Sequence, residues 1–277
     1  MQLICYALNK SASFLMMSIW RNIAVGCIYR SAYLQPIIYR LYRNFSKLIK
    51  KGHIMHVKFC GFTQLDDVNA AVQFGVDAVG LVFYPPSPRA VTLKQAQILS
   101  AALPAFVSVV ALVVNMPEDE LIELANNVSF DIIQFHGDET PEQCQQLASA
   151  VNKRWMKALR INAEQDTVEN VSARIDSFAA AGASSILLDA YHQYKYGGTG
   201  ARFDWSLIPD NSALPIILAG GLDADNVAVT RELPIYGLDV SGGIEIDKGK
   251  KDADKMRAFM KAVKRDRWQN ETVTDVI

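Results

Sequence analysis

The sequence predicts an α/β fold, a single (β/α)8 barrel of the TIM type, preceded by an N-terminal extension that lies outside it. Three observations lead there. From Met55 onward, short β-branched runs alternate with amphipathic stretches, the signature of βα units around a parallel sheet. The runs recur about every twenty to thirty residues and number eight, whereas a doubly wound sheet closes with about five or six. The first 54 residues, by contrast, follow neither period and differ sharply in charge from the rest.

The elements follow in chain order. His56–Cys60 is a near-continuous apolar run and reads as the first strand, with a helix over Leu65–Phe74. Ala78–Phe83 is the second strand, and after a proline-rich turn (Pro85, Pro86, Pro88) comes a helix over Leu93–Ala102. Val107–Val114 is rich in valine, the best strand signal in the chain, and Glu118–Asn126 is the acidic, amphipathic helix after it. Ile132–His136 is followed by a helix over Pro141–Ser149, where Thr140 before Pro141 supplies an N-cap ahead of a first-turn proline. Arg154–Arg160 leads to the long helix Thr167–Ala181, and Ser185–Asp189 to a short one at Trp205–Ile208. Pro215–Ala219 with helix Ala224–Arg231, and Tyr236–Val240 with helix Asp252–Lys264, complete the eight units.

Composition bounds the function. The chain has 277 residues, 50% of them hydrophobic, enough for one large core or two modest ones. Its net charge of −1 conceals an asymmetry. Residues 1–54 carry eight basic residues and no acid, which leaves −9 on the remainder. An acidic body excludes a nucleic-acid enzyme, since a groove that neutralises phosphates shows as a basic excess. The cysteines Cys5, Cys27, Cys60 and Cys144 form no Cys-x-x-Cys pair and no Cys/His zinc spacing, and the four histidines have no i, i+4 pair. A reducing compartment and no bound metal are expected.

Within residues 1–54, Lys10, Arg21, Arg30 and Arg40 interrupt every apolar stretch, so no membrane span is expected. Ser11 to Trp20 could serve as a signal h-region, but no A-x-A-like site follows closely, and Arg21 breaks the apolar stretch before the partial lipoprotein-like box Ala24-Val25-Gly26-Cys27. Two readings remain: an organellar transit peptide, or a start codon assigned too far upstream, with translation beginning at Met55. The position of Met55 directly before the first strand favours the second. Either way the domain boundary falls at 54/55, and 55–277 is the working domain.

In a barrel, chemistry sits at the C-terminal ends of the strands. That rule selects Cys60, Arg89, His136, Asp189, Gly220, Gly221, Ser241 and Gly242. Ala219-Gly220-Gly221-Leu222 and Asp239-Val240-Ser241-Gly242-Gly243 follow strands seven and eight, where barrels bind phosphate with backbone N–H groups. The substrate should therefore be a small phosphorylated molecule. Cys60 is either a small buried hydrophobe or a thiolate that acts as base or nucleophile, with Lys58 on the same side one layer deeper. Asp189 ends an apolar run with no helix signature after it, which makes it a cap or a rim acid whose pKa an apolar pocket would raise. Arg89, on a rigid proline-rich approach, is a surface charge or a fixed fork for a carboxylate. His136 is a polar strand end or a substrate contact. Tyr196-Gly197-Gly198-Thr199-Gly200 lacks the Gly-Lys-[Ser/Thr] end of a nucleotide loop and reads as a lid.

Lys58-Phe59-Cys60-Gly61-Phe62-Thr63, Phe83-Tyr84-Pro85-Pro86-Ser87-Pro88-Arg89, Gln134-Phe135-His136-Gly137-Asp138-Glu139, Leu188-Asp189, Tyr196–Gly200 with Phe203-Asp204-Trp205, Leu218–Leu222 and Asp239–Glu245 together resemble phosphoribosylanthranilate isomerase over residues 55 to about 264. The resemblance implies a (β/α)8 barrel of tryptophan biosynthesis that performs an Amadori rearrangement with no metal or cofactor. It implies Asp189 as general acid, Cys60 as general base, Arg89 on the anthranilate carboxylate, and Gly220, Gly221, Ser241 and Gly242 on the phosphate. It further implies a cytoplasmic enzyme, monomer or homodimer, with no nucleic-acid or membrane partner. Gly242 stands where the family more often has a second serine, and Phe62 where it has an aliphatic residue. An indole-glycerol-phosphate synthase would need a catalytic lysine and glutamates on the rim, and a ribulose-phosphate epimerase metal-ligating His and Asp. A catalytically silent barrel tethered through residues 1–54 would be indifferent to Cys60 and Asp189.

Overall fold

The computed structural model describes residues 55–190 and 203–264. The expectations for residues 1–54 and for the glycine-rich segment 196–200 lie outside the described residues.

Eight parallel strands close into a barrel in chain order: β1 (His56–Cys60), β2 (Ala78–Phe83), β3 (Ser108–Val113), β4 (Ile132–Phe135), β5 (Arg154–Ile161), β6 (Ser185–Ala190), β7 (Ile216–Leu218) and β8 (Gly237–Val240). Closure is made by β1 on β8, which sets Lys58 opposite Asp239 and Phe59 opposite Val240. The α-helices among the described residues are α1 (Leu65–Gln73), α2 (Leu93–Ala101), α3 (Glu118–Asn127), α4 (Pro141–Ala150), α5 (Val168–Ala180) and α6 (Ala253–Lys264). Their starts are written locally. Thr92 and Thr140 each accept the N–H of a glutamine three residues on, and that glutamine's side chain returns to the threonine N–H, closing a capping box on α2 and α4.

Two expected helices are tight 3₁₀ turns instead, at Trp205–Leu207 and Val227–Glu232. The second has a visible cause. The Asp223 carboxylate accepts the N–H groups of Asp225 and Asn226, and the Asn226 amide donates to the Gly221 carbonyl. These side-chain bonds hold the chain close to the barrel rim and compete with an α-helical start. The expectation of a helix at Ala224–Arg231 is corrected accordingly. A second departure is a hairpin absent from the sequence reading, β9 (Glu245–Asp247) with β10 (Lys250–Lys251), inserted between β8 and α6. Other boundaries differ by a residue or two.

Side chains alternate along each strand. One set, including Phe59, Leu81, Val113, Phe135, Ile186, Leu218 and Leu238, packs outward against the helices in the main core. Phe59 meets Phe259 of α6 edge to face at 5.9 Å. The other set fills the barrel: Cys60, Val82, Leu112 and Val114 on one side, Ala158, Leu187 and Ala219 on the other. Into this second set fall Lys58, Gln134, His136, Asp189 and Asp239, all buried. Outward apolar packing is thus the source of the fold's stability, and inward polarity marks the end where chemistry occurs. No helix of the described residues is long and apolar enough to cross a membrane.

Candidate active site

At the C-terminal mouth of the barrel lies a cavity of about 660 Å³ lined by Cys60, Arg89, His136, Asp189, Gly220, Gly221, Ser241 and Gly242, the eight residues singled out in the sequence. Tyr84, Asp239 and Lys248 are also on its wall.

Cys60 ends β1 and is 5% exposed. Burial pushes its thiol above the ordinary cysteine value, opposed by the Lys58 ammonium, reinforced by Asp239 and opposed again by Lys251. Lys58 Nζ is 2.9 Å from Asp239 Oδ1, an ion pair inside the barrel. Burial opposes the charge on Lys58, but Asp239 and the Cys60 sulfur outweigh it and hold the ammonium above its usual value.

Across the cavity, Asp189 of β6 has one oxygen, Oδ1, accepting the Ala190 N–H, and the other, Oδ2, 3.4 Å from His136 Nε2. That separation is an approach rather than a hydrogen bond, and Nε2 is buried with no partner. His136 Nδ1 lies 2.9 Å from Gln134 Nε2. An amide nitrogen only donates, so with the amide set this way Nδ1 accepts and the neutral ring carries its proton on Nε2, facing the Asp189 carboxyl.

Arg89 is not a free surface charge: it is buried, and its fork already holds a carboxylate of the protein itself. Its Nε and Nη2 each donate to Glu245 at 2.7 Å, a two-bond pair with β9. Glu245 also accepts from Lys251 Nζ at 2.8 Å, and Lys251 donates in turn to the Cys60 carbonyl at 2.6 Å. Burial favours the protonated form of Glu245, but Arg89 and Lys251 overcome it and hold the carboxyl below its usual value. Burial depresses Lys251, with Glu245 resisting. Reading the sequence missed Lys251 because a lysine beside Lys250 looks like solvated charge; the nearest available signal was Asp247-Lys248-Gly249-Lys250, a turn sequence between two short β-prone pieces.

The remaining wall is glycine. Gly220 and Gly221 have φ of 87° and 61°, left-handed values that suit glycine and turn the backbone after β7 into the cavity. Ser241 begins a 3₁₀ turn over Gly242–Ile244, whose first N–H groups have no acceptor within the turn. Gly242 brings this loop close to Arg89: a side-chain carbon there would be 3.8 Å from Nη2. Backbone donors from two adjacent loops are the kind of group that suits an anion such as phosphate.

Fold and site define the class: a (β/α)8-barrel enzyme with two glycine loops after β7 and β8 and a thiol facing a carboxyl across one cavity. Residues 57–262 match the family model described as N-(5'phosphoribosyl)anthranilate (PRA) isomerase, and the chain belongs to that family. Relatives named N-(5'-phosphoribosyl)anthranilate isomerase are 47% identical over 207 residues in Acinetobacter calcoaceticus, covering 74% of this chain and 95% of that one, and 50% identical over 209 residues in Pseudomonas putida, covering 75% and 96%. The crystal structure of phosphoribosyl anthranilate isomerase from Thermotoga maritima superimposes with a TM-score of 0.67 at 34% identity, covering 76% of this chain and 99% of its own. A phosphoribosyl anthranilate isomerase solved in complex with reduced 1-(o-carboxyphenylamino)-1-deoxyribulose 5-phosphate gives a TM-score of 0.62 at 31% identity, with coverage of 76% and 99%.

Proposed function

We propose that the chain isomerises N-(5'-phosphoribosyl)anthranilate to 1-(2-carboxyphenylamino)-1-deoxyribulose 5-phosphate, and that Cys60 and Asp189 carry the protons. The observation that supports this most is the placement of the two groups on opposite walls, β1 and β6, of one cavity whose third side is the Gly220–Gly221 and Ser241–Gly242 rim. Asp189 gives its proton to the furanose ring oxygen as the C1–O bond breaks and the anilino nitrogen's lone pair forms the C1=N bond. The Cys60 thiolate then takes the C2 proton, and the released pair makes the C1=C2 bond of an enolamine while neutralising the iminium nitrogen. Tautomerisation, with C1 protonated and the C2 hydroxyl becoming a ketone, yields the product. The chemistry needs no cofactor, since the substrate's own nitrogen is the electron sink.

His136, with its proton on Nε2, steadies Asp189 when that carboxyl is ionised. Arg89, pinned by Glu245, keeps its Nη1 edge for the anthranilate carboxylate, and the glycine rim holds the phosphate. Pinning both ends of the substrate converts two proton transfers into steps within one fixed geometry. The working domain is 55–277, residues 1–54 take no part in the chemistry, and a reducing cytoplasm keeps Cys60 a free thiol. The substrate is a small phosphorylated molecule, with no nucleic acid or membrane partner. A relative from Thermotoga maritima is described as dimeric, and monomers generated from it have been solved; we place this chain in that same monomer-to-homodimer range.

The test follows the loss of anthranilate fluorescence when the full chain, and residues 55–277 beside it, meet phosphoribosylanthranilate generated in situ. Turnover by both, with near-silence from Cys60→Ala and Asp189→Asn, is the expected result. A folded parent that leaves the fluorescence unchanged overturns the reading.

A further inference from the structure

Beneath the active-site thiol lies a pair of charges that the proton transfers do not use. Lys58 and Cys60 are two residues apart on β1 and so share the inward face, while Asp239 reaches the same point from β8, where it is paired in register with Lys58. Lys58, Cys60 and Asp239 are all under a tenth exposed. Gly80 of β2, opposite Cys60 in the sheet, makes the space: a side-chain carbon there would stand 2.8 Å from Cys60 Sγ and 3.1 Å from Lys58 Cε, so the thiol and the lysine arm meet over one bare glycine.

We propose that Lys58 and Asp239 are a pair of positioning residues that sets the ionisation of Cys60, by making the carboxylate and the sulfur compete for a single ammonium. Its mechanistic importance rests on the reading of Cys60 as the base. With Asp239 charged, the ammonium is already half-claimed and the thiol stays protonated and protected. When the thiolate forms, the same ammonium swings its charge toward sulfur without leaving Asp239, so no charge is stranded in the barrel. Burial of an unpaired thiolate would be costly, and an unpaired carboxylate equally so. A lone lysine would make the thiol ionise more readily and weaken the thiolate as a base. A lone aspartate would forbid ionisation.

The other charged or titratable groups around Cys60 are accounted for. Lys251 of β10 binds the Cys60 carbonyl and Glu245, and Arg89 is held by Glu245 in two bonds, so both of these cations are already shared with a carboxylate. His136 and Asp189 face Cys60 from the far wall of the cavity. Lys58 alone lies on the same strand face as the thiol, one layer below it.

The competition makes two substitutions shift the thiol in opposite directions, which damage to packing does not do. Lys58→Met removes the cation and leaves Asp239, so Cys60 should titrate at least about one pH unit higher. Asp239→Asn keeps an oxygen for the ammonium but removes the rival charge, so Cys60 should titrate about one unit lower. Lys58→Arg restores the parent direction. The readout is the pH dependence of Cys60 alkylation by iodoacetamide in the full chain, quantified by peptide mass spectrometry, with the pH profile of kcat/KM beside it.

Opposed shifts in the alkylation profile, mirrored by the rising limb of kcat/KM, are expected. If Lys58→Met does not fold, Asp239→Asn decides alone. No shift in a folded Asp239→Asn, or shifts of the same sign in both variants, overturns the proposal. If alkylation shifts as expected but Cys60→Ala retains turnover, the pairing stands and the assignment of Cys60 as base falls.

Discussion

Two neighbouring glycines after β8 should respond to the same substitution in different ways, and the difference tests whether the loops after β7 and β8 hold phosphate. A Cβ on Gly243 would collide with the Leu222 carbonyl oxygen and lie 2.9 Å from its carbon and 3.1 Å from Asp223 Cα. These are backbone atoms of the other glycine loop, so no side chain can rotate away. Restoring contacts to an ordinary ~3.5–4 Å requires the two loops to part by roughly one and a half to two ångströms. Gly242, one residue earlier, faces open space apart from Arg89 Nη2 at 3.8 Å. A hydrogen bond to a charged group is worth ~1.5–3 kcal/mol, and it weakens steeply with such a displacement. Gly243→Ala should therefore raise KM roughly ten- to a hundred-fold through the loss of about one backbone bond to phosphate, with inhibition by inorganic phosphate weakened in parallel. Gly242→Ala should leave the melting temperature close to that of the parent, whereas Gly243→Ala lowers it. The assays are steady-state fluorescence kinetics, competition with phosphate and thermal unfolding. A folded Gly243→Ala with unchanged KM and unchanged phosphate inhibition would refute the view that contact between these two loops shapes the anion site.

Three further outcomes follow from the site. Asp189→Asn should lower kcat by about 10²–10⁴, the usual worth of one general acid, while KM stays within a few-fold, as read in the same assay. Glu245→Gln should destabilise the barrel by about 3 kcal/mol near neutral pH by depriving Arg89 and Lys251 of their shared anion. Because the Glu245 carboxyl is held below its usual value in the folded chain, that stabilisation is present above the unfolded carboxyl's pKa of ~4.3 and is lost as pH falls through the depressed folded value. The difference in melting temperature between parent and variant should accordingly be wide at pH 7 and close in acid; a difference independent of pH would contradict the pairing. Burial pushes the Cys144 thiol up to about 12, so iodoacetamide at mildly alkaline pH should mark Cys60 in the native chain before Cys144, and equal marking would show that Cys144 is reached without unfolding.

The barrel is legible in the sequence because strands covered by helices outside and packed side chains within must be apolar on nearly every residue. Ile186-Leu187-Leu188 and Val109–Val113 could be little else. Asp189 stood out for the same reason, as a carboxyl that ends such a run. What escaped is everything decided by partners distant in sequence. Arg89 and Glu245 are 156 residues apart, and Lys58 and Asp239 are 181 apart; their pairing exists only once β8 has closed on β1. The β9–β10 hairpin carries almost no apolar alternation, and its stability lies in Lys251, whose ammonium is buried among the Cys60 carbonyl, Glu245 and the Phe62 ring at 5.5 Å. Local propensity has no means of signalling a lysine that folds inward. The helix expected at Ala224–Arg231 failed because Asp223 and Asn226 spend their side chains on nearby backbone groups, a choice the composition allows but does not dictate.

These long-range pairs share a geometry that explains why the site is rigid where it must be. Glu245 ties Arg89, beyond the end of β2, to Lys251, and Lys251 ties the ends of β1 and β8 by accepting neither and donating to both, at the Cys60 carbonyl and, at 3.3 Å, the Ser241 carbonyl. Thr63 Oγ1 donates to the Gly249 carbonyl at 2.6 Å and Lys251 N–H to Asp67, so the hairpin is stitched to the loop after β1 and to the first turn of α1 as well. Cys60, Arg89 and the Ser241–Gly242 loop therefore belong to one cross-linked unit, while Asp189 stands on the opposite wall, held by its own backbone and approached by His136. A perturbation of the hairpin should move the first three together and leave the acid in place. Lys251→Met, on that argument, should weaken phosphate inhibition and slow Cys60 alkylation in the same protein, without altering the contribution of Asp189 measured as the ratio of kcat with and without Asp189→Asn. A change in only one of the two readouts would show that the hairpin serves the rim or the thiol separately.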